Sequence, residues 1–213
     1  MDKKHCPLCG NSQYSHYHRD KRRQYWQCER CALVFVDWQY WLNPSQEKAE
    51  YDLHQNSPED DAYRLFLNRL VAPLSCDLPS GARGLDFGSG PGPTLFLMFA
   101  ERGFEVSNYD IFYADNRALL NQSYDFICAT EVVEHLFDPQ AVFKQLWDCL
   151  QPGGVLGMMT KMVVGKAEFS QWHYKNDMTH VCFYSKATFN FLAKKLGADV
   201  AFIDKDVIFL RKS

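Results

Sequence analysis

The 213-residue chain is 46% apolar and 23% charged, the balance of a soluble globular protein, and it holds no apolar run long enough to span a bilayer. Its formal net charge of −3 argues against a nucleic-acid partner for the chain as a whole. The opening MDKKHCPLCG lacks the apolar stretch of a secretory leader, so the eight cysteines are expected in the reducing cytoplasm, as metal ligands or buried small side chains.

Residues 1–36 read as one small module. Cys6-Pro7-Leu8-Cys9-Gly10 and Cys28-Glu29-Arg30-Cys31 are two CxxC pairs separated by 18 residues. Each pair can aim two thiolates at one ion, and two pairs complete the tetrahedral set that Zn²⁺ takes in closed structural sites. A redox role needs only one pair at a helix start, and four thiolates leave no open position for a catalytic water. Tyr14 to His18 and Gln24 to Gln27 have the length of hairpin strands, while His5, His16 and His18 read as surface residues. So short a module has little core, so the metal is expected to supply much of its folding energy. Residues 2–31 carry seven Lys or Arg against three acids, a local basic patch with Tyr14, Tyr17, Tyr25 and Trp26 interleaved.

Residues 37–80 read as a helical connector or lid. Ser57-Pro58-Glu59-Asp60 has the form of a helix start with Ser57 as cap, and Tyr63, Phe66, Leu67, Leu70 and Val71 recur at helical spacing. Tyr51 and His54 precede that helix and would face a ligand if the segment is a lid. Pro73, Pro79 and Gly81 mark a boundary loop over residues 73–81.

In the core, residues 81–213, Arg83 to Phe87 reads as a strand. After it come Gly88-Ser89-Gly90-Pro91-Gly92-Pro93 and a helix from Thr94 to Arg102, stopped by Gly103. A glycine-rich turn between strand and helix lets a ligand approach the backbone at the helix's positive end. The next strand, Phe104 to Tyr109, ends in Asp110, an acid suited to ribose hydroxyls. A dinucleotide fingerprint would have glycine where Pro93 stands, and here Asp86 ends the first strand beside the turn. Both features suit a ligand without a pyrophosphate.

Leu85-Asp86-Phe87-Gly88-Ser89-Gly90-Pro91-Gly92 resembles the first motif of class I methyltransferases, and Asp110 matches their ribose-binding acid. Tyr124 to His135 resembles their fourth strand and its trailing helix, and Leu150-Gln151-Pro152-Gly153-Gly154-Val155-Leu156 resembles the turn into their fifth. The resemblance, over residues 83–160, implies an α/β, doubly wound, mostly parallel sheet with an antiparallel C-terminal hairpin, and S-adenosyl-L-methionine as cofactor. It implies that Gly88, Gly90 and Gly92, with Asp86 and Ser89, border the methionine part, that Asp110 takes the ribose, and that Thr130, Glu131 and Val132 line the sulfonium end. Tyr124 lies only fourteen positions beyond Asp110, too few for the family's helix plus third strand. That strand is therefore expected near Arg117–Leu120 in reduced form, or the sheet edge is shortened.

Asp138-Pro139 starts a helix with Val142, Phe143, Leu146, Trp147 and Leu150 on one face, and Ser185 caps another that Gly197 stops. Ala198 to Ile203 and Val207 to Leu210 read as the hairpin. Cys128 and Cys149 read as packing residues.

Residues 162–184 form an insertion rich in aromatic and titratable side chains, placed after the strand whose end faces the ligand crevice. Methyl transfer needs a positioned substrate and a proton acceptor, and histidine is the natural base near neutral pH. His180 is the first candidate, then His173 and His135. A zinc ribbon ahead of such a core, with an aromatic–histidine segment before the last helix, is similar to the architecture of deoxysugar C-methyltransferases. That likeness implies a small polar metabolite as substrate. The alternatives are an RNA or protein methyltransferase that reads its target with the basic ribbon, and a cofactor-binding protein without turnover.

Overall fold

A computed structural model describes residues 5–53 and 57–213; His54, Lys3 and Lys4 lie outside the described residues. Among the described residues no helix is long and apolar enough to cross a membrane.

The N-terminal strands β1 (Tyr14–Arg19) and β2 (Gln24–Cys28) form an antiparallel hairpin with an irregularity at Tyr17, and β3 (Val34–Val36) pairs with β2. Asp20 closes the hairpin turn, its Oδ1 accepting the backbone N–H groups of Arg22 and Arg23 at 2.8 and 2.9 Å. Tyr17 and Tyr25 face inward and are buried.

The connector holds two helices. α1 (Pro44–Tyr51) starts with a reciprocal cap, Asn43 Oδ1 accepting from the Gln46 N–H and Gln46 Oε1 from the Asn43 N–H. α2 (Asp61–Asp77) is capped by Asp60, not Ser57: Asp60 Oδ1 accepts from the Ala62 and Tyr63 N–H groups, while Ser57 accepts from the Glu59 N–H in the preceding turn. Pro73 also corrects the expected boundary loop, because it lies within α2. Burial of Leu67, Leu70, Val71 and Leu74 on one face outweighs the hydrogen bond that proline removes.

The core elements are, in order, β4 (Arg83–Phe87), α3 (Thr94–Ala100), β5 (Glu105–Tyr109), β6 (Tyr124–Thr130), α4 (Pro139–Cys149), β7 (Leu150–Met159), α5 (Lys166–Gln171), β8 (Cys182–Phe183), α6 (Lys186–Leu196), β9 (Ala198–Phe202) and β10 (Val207–Lys212). Six of these strands make one sheet in the order β5-β4-β6-β7-β10-β9. The first four are parallel, and β10 runs antiparallel between β7 and β9. Alternation along β6 divides the core: Ile127 and Ala129 join Phe143, Leu146 and Phe189 on one face, while Phe126 and Cys128 join Leu70, Leu95 and Phe99 on the other.

No strand forms near Arg117–Leu120. Arg117–Asn121 is a 3₁₀ turn, so β5 is the sheet edge and the third strand of the family's pattern is absent. β8, from the 162–184 insertion, pairs with β3 and extends the N-terminal sheet to four strands. The ribbon and the insertion therefore share one sheet.

Candidate active site and thiol cluster

The parallel registers bring the strand ends level: Phe87 pairs with Tyr109, and Thr130 with Met159. Gly88, Asp110, Glu131 and Thr160 consequently lie along one edge. The order reverses at β4, where β5 lies on one side and β6 on the other, and such a switch point opens a crevice.

Backbone geometry shapes the crevice. Gly88 and Gly90 have φ of +78° and +65°. The Gly88 and Ser89 N–H groups donate to the Tyr109 carbonyl at 2.7 and 3.2 Å, folding the loop over the end of β5. A Cβ on Gly88 would lie 2.4 Å from Val132 Cγ2, whereas one on Gly90 would meet nothing within 4 Å. Gly88 thus serves packing, and Gly90 borders open space. Asp110 Oδ2 accepts from the Gly90 N–H at 2.9 Å, and Oδ1 from Phe112 and Tyr113 at 2.8 and 3.1 Å. Oδ2 keeps a lone pair for a hydroxyl, and gripping two hydroxyls requires one of these backbone bonds to open.

Asp86 ends inside the crevice, buried, with Oδ1 lacking a partner, and Thr94 Oγ1 at the start of α3 is also buried without one. Burial, with Asp110 nearby, raises the Asp86 carboxyl to about 7. An amino-acid ammonium would supply the missing donor and hold Asp86 ionised, while Gly90 leaves room beside the loop. These residues fit S-adenosylmethionine.

The crevice is roofed by the connector. Tyr51, at the end of α1, packs edge-on to His135 at 5.3 Å and lies 5.8 Å from Phe112. Its hydroxyl donates to Glu47, and Tyr113 donates to Asp52 at 2.6 Å. On α2, Tyr63 is pushed up to about 12 by burial and then by the charges of Asp86 and Glu131.

Glu131 has φ of +53°, a conformation that costs of order 1–3 kcal/mol in a residue with a side chain. It directly succeeds Thr130 at the end of β6; Thr130, Glu131 and Val132 are half-buried at the crevice edge. The Tyr174 hydroxyl donates to Glu134 and lies 3.4 Å from Glu131 Oε2 and 3.2 Å from Thr160 Oγ1. Burial, with Glu131 adding, raises Glu134 to about 8.

The folded chain therefore keeps a proton on Glu134 that the unfolded chain, with a glutamate near 4.3, has already released. This costs stability progressively as pH rises from about 4 through 8. Glu134→Gln should raise the thermal midpoint at pH 8 by a few degrees, at roughly 2–4 °C per kcal/mol, and by less at pH 5. A gap that widens towards acid would contradict the shift.

The three candidate histidines separate. His135 and His180 stand ring to ring at 4.6 Å, and with Glu134 they bring their polar atoms within 4.8 Å of one another. His173 is exposed and lies apart, its Nε2 2.9 Å from Lys161 Nζ. His180 is buried, its Nδ1 donates to the Tyr174 carbonyl at 2.7 Å, and its Nε2 is 3.7 Å from Asp177. Burial, opposed by Asp177 and reinforced by Arg23 and Lys161, lowers it to about 4. It is neutral at pH 7, with Nε2 as acceptor.

Cys6, Cys9, Cys28 and Cys31 bring their sulfurs within 4.8 Å of one another, and the Cys6–Cys31 and Cys9–Cys28 separations are 3.5 Å. These are unbonded thiols, spaced close to the roughly 3.8 Å edge of a tetrahedron with Zn–S bonds of about 2.3 Å. The neighbouring Cys28 sulfur, with burial adding, holds Cys6 up to about 12, so the thiols do not ionise together without a cation. The donor set fits Zn²⁺. His16 and His18 stand outside the cluster.

A cavity of about 920 Å³ lies elsewhere, between the ribbon and helices α4 and α6, lined by Leu8, Trp41, Phe143 and Leu192. It contains neither Asp86 nor Asp110. The chemistry therefore points to the crevice and not to this hollow. In the sequence Tyr63 is marked only as one position of the connector helix and Tyr174 only as part of the aromatic 162–184 insertion; both reach the crevice through tertiary packing.

A family model described as a methyltransferase domain matches residues 58–201, more than half of the chain. The chain is 31% identical to the tRNA 5-carboxymethoxyuridine methyltransferase of Escherichia coli K12 over 44% of either protein, and so spans less than half the length of that curated relative. It is similar to a solved SAM-dependent methyltransferase from Archaeoglobus fulgidus (TM-score 0.54, 20% identity, 70% of this chain and 94% of that one). It is also similar to the 1,6-didemethyltoxoflavin-N1-methyltransferase of Burkholderia thailandensis, solved with its substrate and S-adenosylhomocysteine (TM-score 0.51, 13% identity, 93% and 99%). At these identities the structural likeness is one of fold. The chain belongs to the methyltransferase-domain family, and its fold is that of the class I S-adenosylmethionine-dependent methyltransferases.

Proposed function

We propose that this protein transfers a methyl group from S-adenosylmethionine to a small polar metabolite, with His180 as the proton acceptor, and that the four N-terminal thiolates hold a structural Zn²⁺. The cofactor, when bound, supplies an electrophilic methyl group and a neutral thioether leaving group. Asp86 would take its ammonium and Asp110 its ribose, with Gly88, Ser89, Gly90 and Gly92 along the methionine and Thr130, Glu131 and Val132 near the sulfonium. The roof of Tyr51 and Tyr63 excludes water and narrows the entrance. His180 Nε2 would take the nucleophile's proton, and the Asp177 carboxylate beside it would stabilise the imidazolium as it forms.

One observation favours a small acceptor over a nucleic acid. Three of the ribbon groups that would contribute to a recognition surface are spent inside, which shrinks it: Arg23, Tyr17 and Tyr25 are buried, and both tyrosines pack on Phe169, while Arg19, Lys21, Arg22 and Arg30 stay exposed. The RNA reading draws on the similarity to a tRNA methyltransferase. The unpaired cysteines support a reducing compartment, the cytoplasm.

The test incubates the full, zinc-loaded chain with methyl-labelled S-adenosylmethionine and, separately, a desalted small-metabolite pool or total RNA, each from cells lacking this protein. Label should enter the small-molecule pool, and His180→Gln should slow it by about 10²–10⁴-fold. Label entering RNA instead, with an affinity that falls steeply with salt, would establish the nucleic-acid reading.

A further inference from the structure

We propose that Arg23, at the tip of the zinc ribbon, is a positioning residue for methyl transfer: it clamps the loop that carries His180, so that the ribbon sets the geometry of the proton acceptor. This rests on the reading of His180 as that acceptor.

Arg23 is 1% exposed, although it belongs to the hairpin turn of a small module. Its Nη1 donates to the carbonyls of Met178 at 3.2 Å and His180 at 2.9 Å. Its Nη2 donates to those of Lys175 at 2.5 Å and Asp177 at 2.7 Å, and its Nε to the Tyr25 hydroxyl at 3.2 Å. A guanidinium has five N–H groups, and each has an acceptor here. Burying such a charge is costly unless its donors are satisfied, and the ribbon alone supplies only one of these acceptors.

The other four come from residues 175–180, a stretch outside any regular strand or α-helix until β8 begins. Without Arg23 the carbonyls of Asp177, Met178 and His180 would be orphaned, the Lys175 carbonyl keeping only the Tyr25 hydroxyl at 3.3 Å, and the loop would open to rehydrate them. The same stretch fixes the His180 ring through its bond to the Tyr174 carbonyl.

A brace surrounds the clamp. Asp20 Oδ1 fixes the Arg23 backbone, and its Oδ2 accepts from the Tyr25 hydroxyl at 2.9 Å and from Lys175 Nζ at 3.4 Å. Burial would raise Asp20, but the N–H groups of Arg23 and Arg22, with Tyr25 and Lys175, hold it at about 2. The brace thus keeps its charge at any working pH. The groups facing His180 are Asp177 on its own loop, Tyr174 just before that loop with its ring at 4.2 Å, Arg23 on the ribbon, Lys161 after β7, and Glu134 and His135 after β6. Arg23 is the one that belongs to the ribbon, and its charge helps keep His180 unprotonated.

The experiment uses the full, zinc-loaded chain with labelled histidines, comparing wild type, Arg23→Gln and Arg23→Lys by NMR titration and amide exchange, with S-adenosylhomocysteine binding as a check on the core. In wild type His180 should hold its proton on Nδ1 and titrate near 4. In Arg23→Gln its midpoint should rise by roughly one pH unit or more, and amides in 175–180 should exchange at least about tenfold faster, while cofactor binding is unchanged. Arg23→Lys keeps the charge but has three donors. It should accelerate exchange with a smaller shift in midpoint, and it carries the test if the glutamine variant does not fold.

Wild-type exchange over 175–180 and a wild-type His180 midpoint in a folded variant would overturn the proposal. If the loop loosens as expected but His180→Gln leaves methyl transfer at full rate, the clamp stands and the assignment of His180 as base fails.

Discussion

Asp110→Ala is expected to lower the affinity for S-adenosylhomocysteine by at least about a hundredfold, measured by calorimetry on the folded variant. The carboxylate would lose its hydrogen bonds to the ribose, each about 1.5–3 kcal/mol when one partner is charged, and 1.4 kcal/mol is tenfold in affinity. It would also release the Gly90, Phe112 and Tyr113 N–H groups that it now holds, loosening the glycine-rich loop. The thermal midpoint should therefore fall as well. Asp110→Asn separates the two effects, because the amide oxygen can still accept from Phe112 and Tyr113 while the charge is gone. It should keep most of the stability and lose affinity by roughly tenfold. Wild-type affinity in the alanine variant would overturn the cofactor assignment.

Removing the metal is expected to be the second large effect. Structural zinc contributes apparent binding free energies of about 10–16 kcal/mol, as large as the whole stability of an ordinary domain. Chelation should release one zinc per chain and abolish amide protection in β2, because Cys28 ends that strand and Cys6 and Cys31 are buried beside it. The loss should reach the core through β8, which pairs Val34 with Phe183 and Phe35 with Cys182. Cys31→Ser should behave as the chelated protein does. A metal-free chain with unchanged protection in β2 and an unchanged thermal midpoint would show that apolar packing alone holds the ribbon.

The parts of the fold that can be read along the chain are those written in local chemistry. The turn from Asp86 to Gly92, the acid at Asp110 and the cap at Asp138 each need only neighbouring residues, and they stand where the sequence places them. The missing third strand is visible as a length, since fourteen positions cannot hold a helix and a strand. Asn43-Pro44-Ser45-Gln46 carries the signature of a capped helix start, so α1 was available to the same logic. Pro73 misleads, because its local penalty is outweighed by packing along α2.

How much of the ribbon's basic, aromatic character reaches the surface is hidden from the sequence for a deeper reason. Whether Arg23, Tyr17 and Tyr25 face solvent depends on residues 169–183, about 150 positions away, and composition carries no trace of that packing. Likewise, the meeting of His135 and His180, with His173 left apart, comes from how the insertion folds back on β6 and β7.

Under the proposed function, the methyl group faces the cluster of Tyr174, His135 and His180 at the edge of β6 and β7. NMR with S-adenosylmethionine carrying a ¹³C-labelled methyl group, bound to the zinc-loaded chain, reads that placement. Nuclear Overhauser contacts from that methyl to the Tyr174 ring and to the His135 or His180 ring are the expected result. Contacts instead to Trp41, Phe143 or Leu192, which line the cavity between the ribbon and α4, would contradict it.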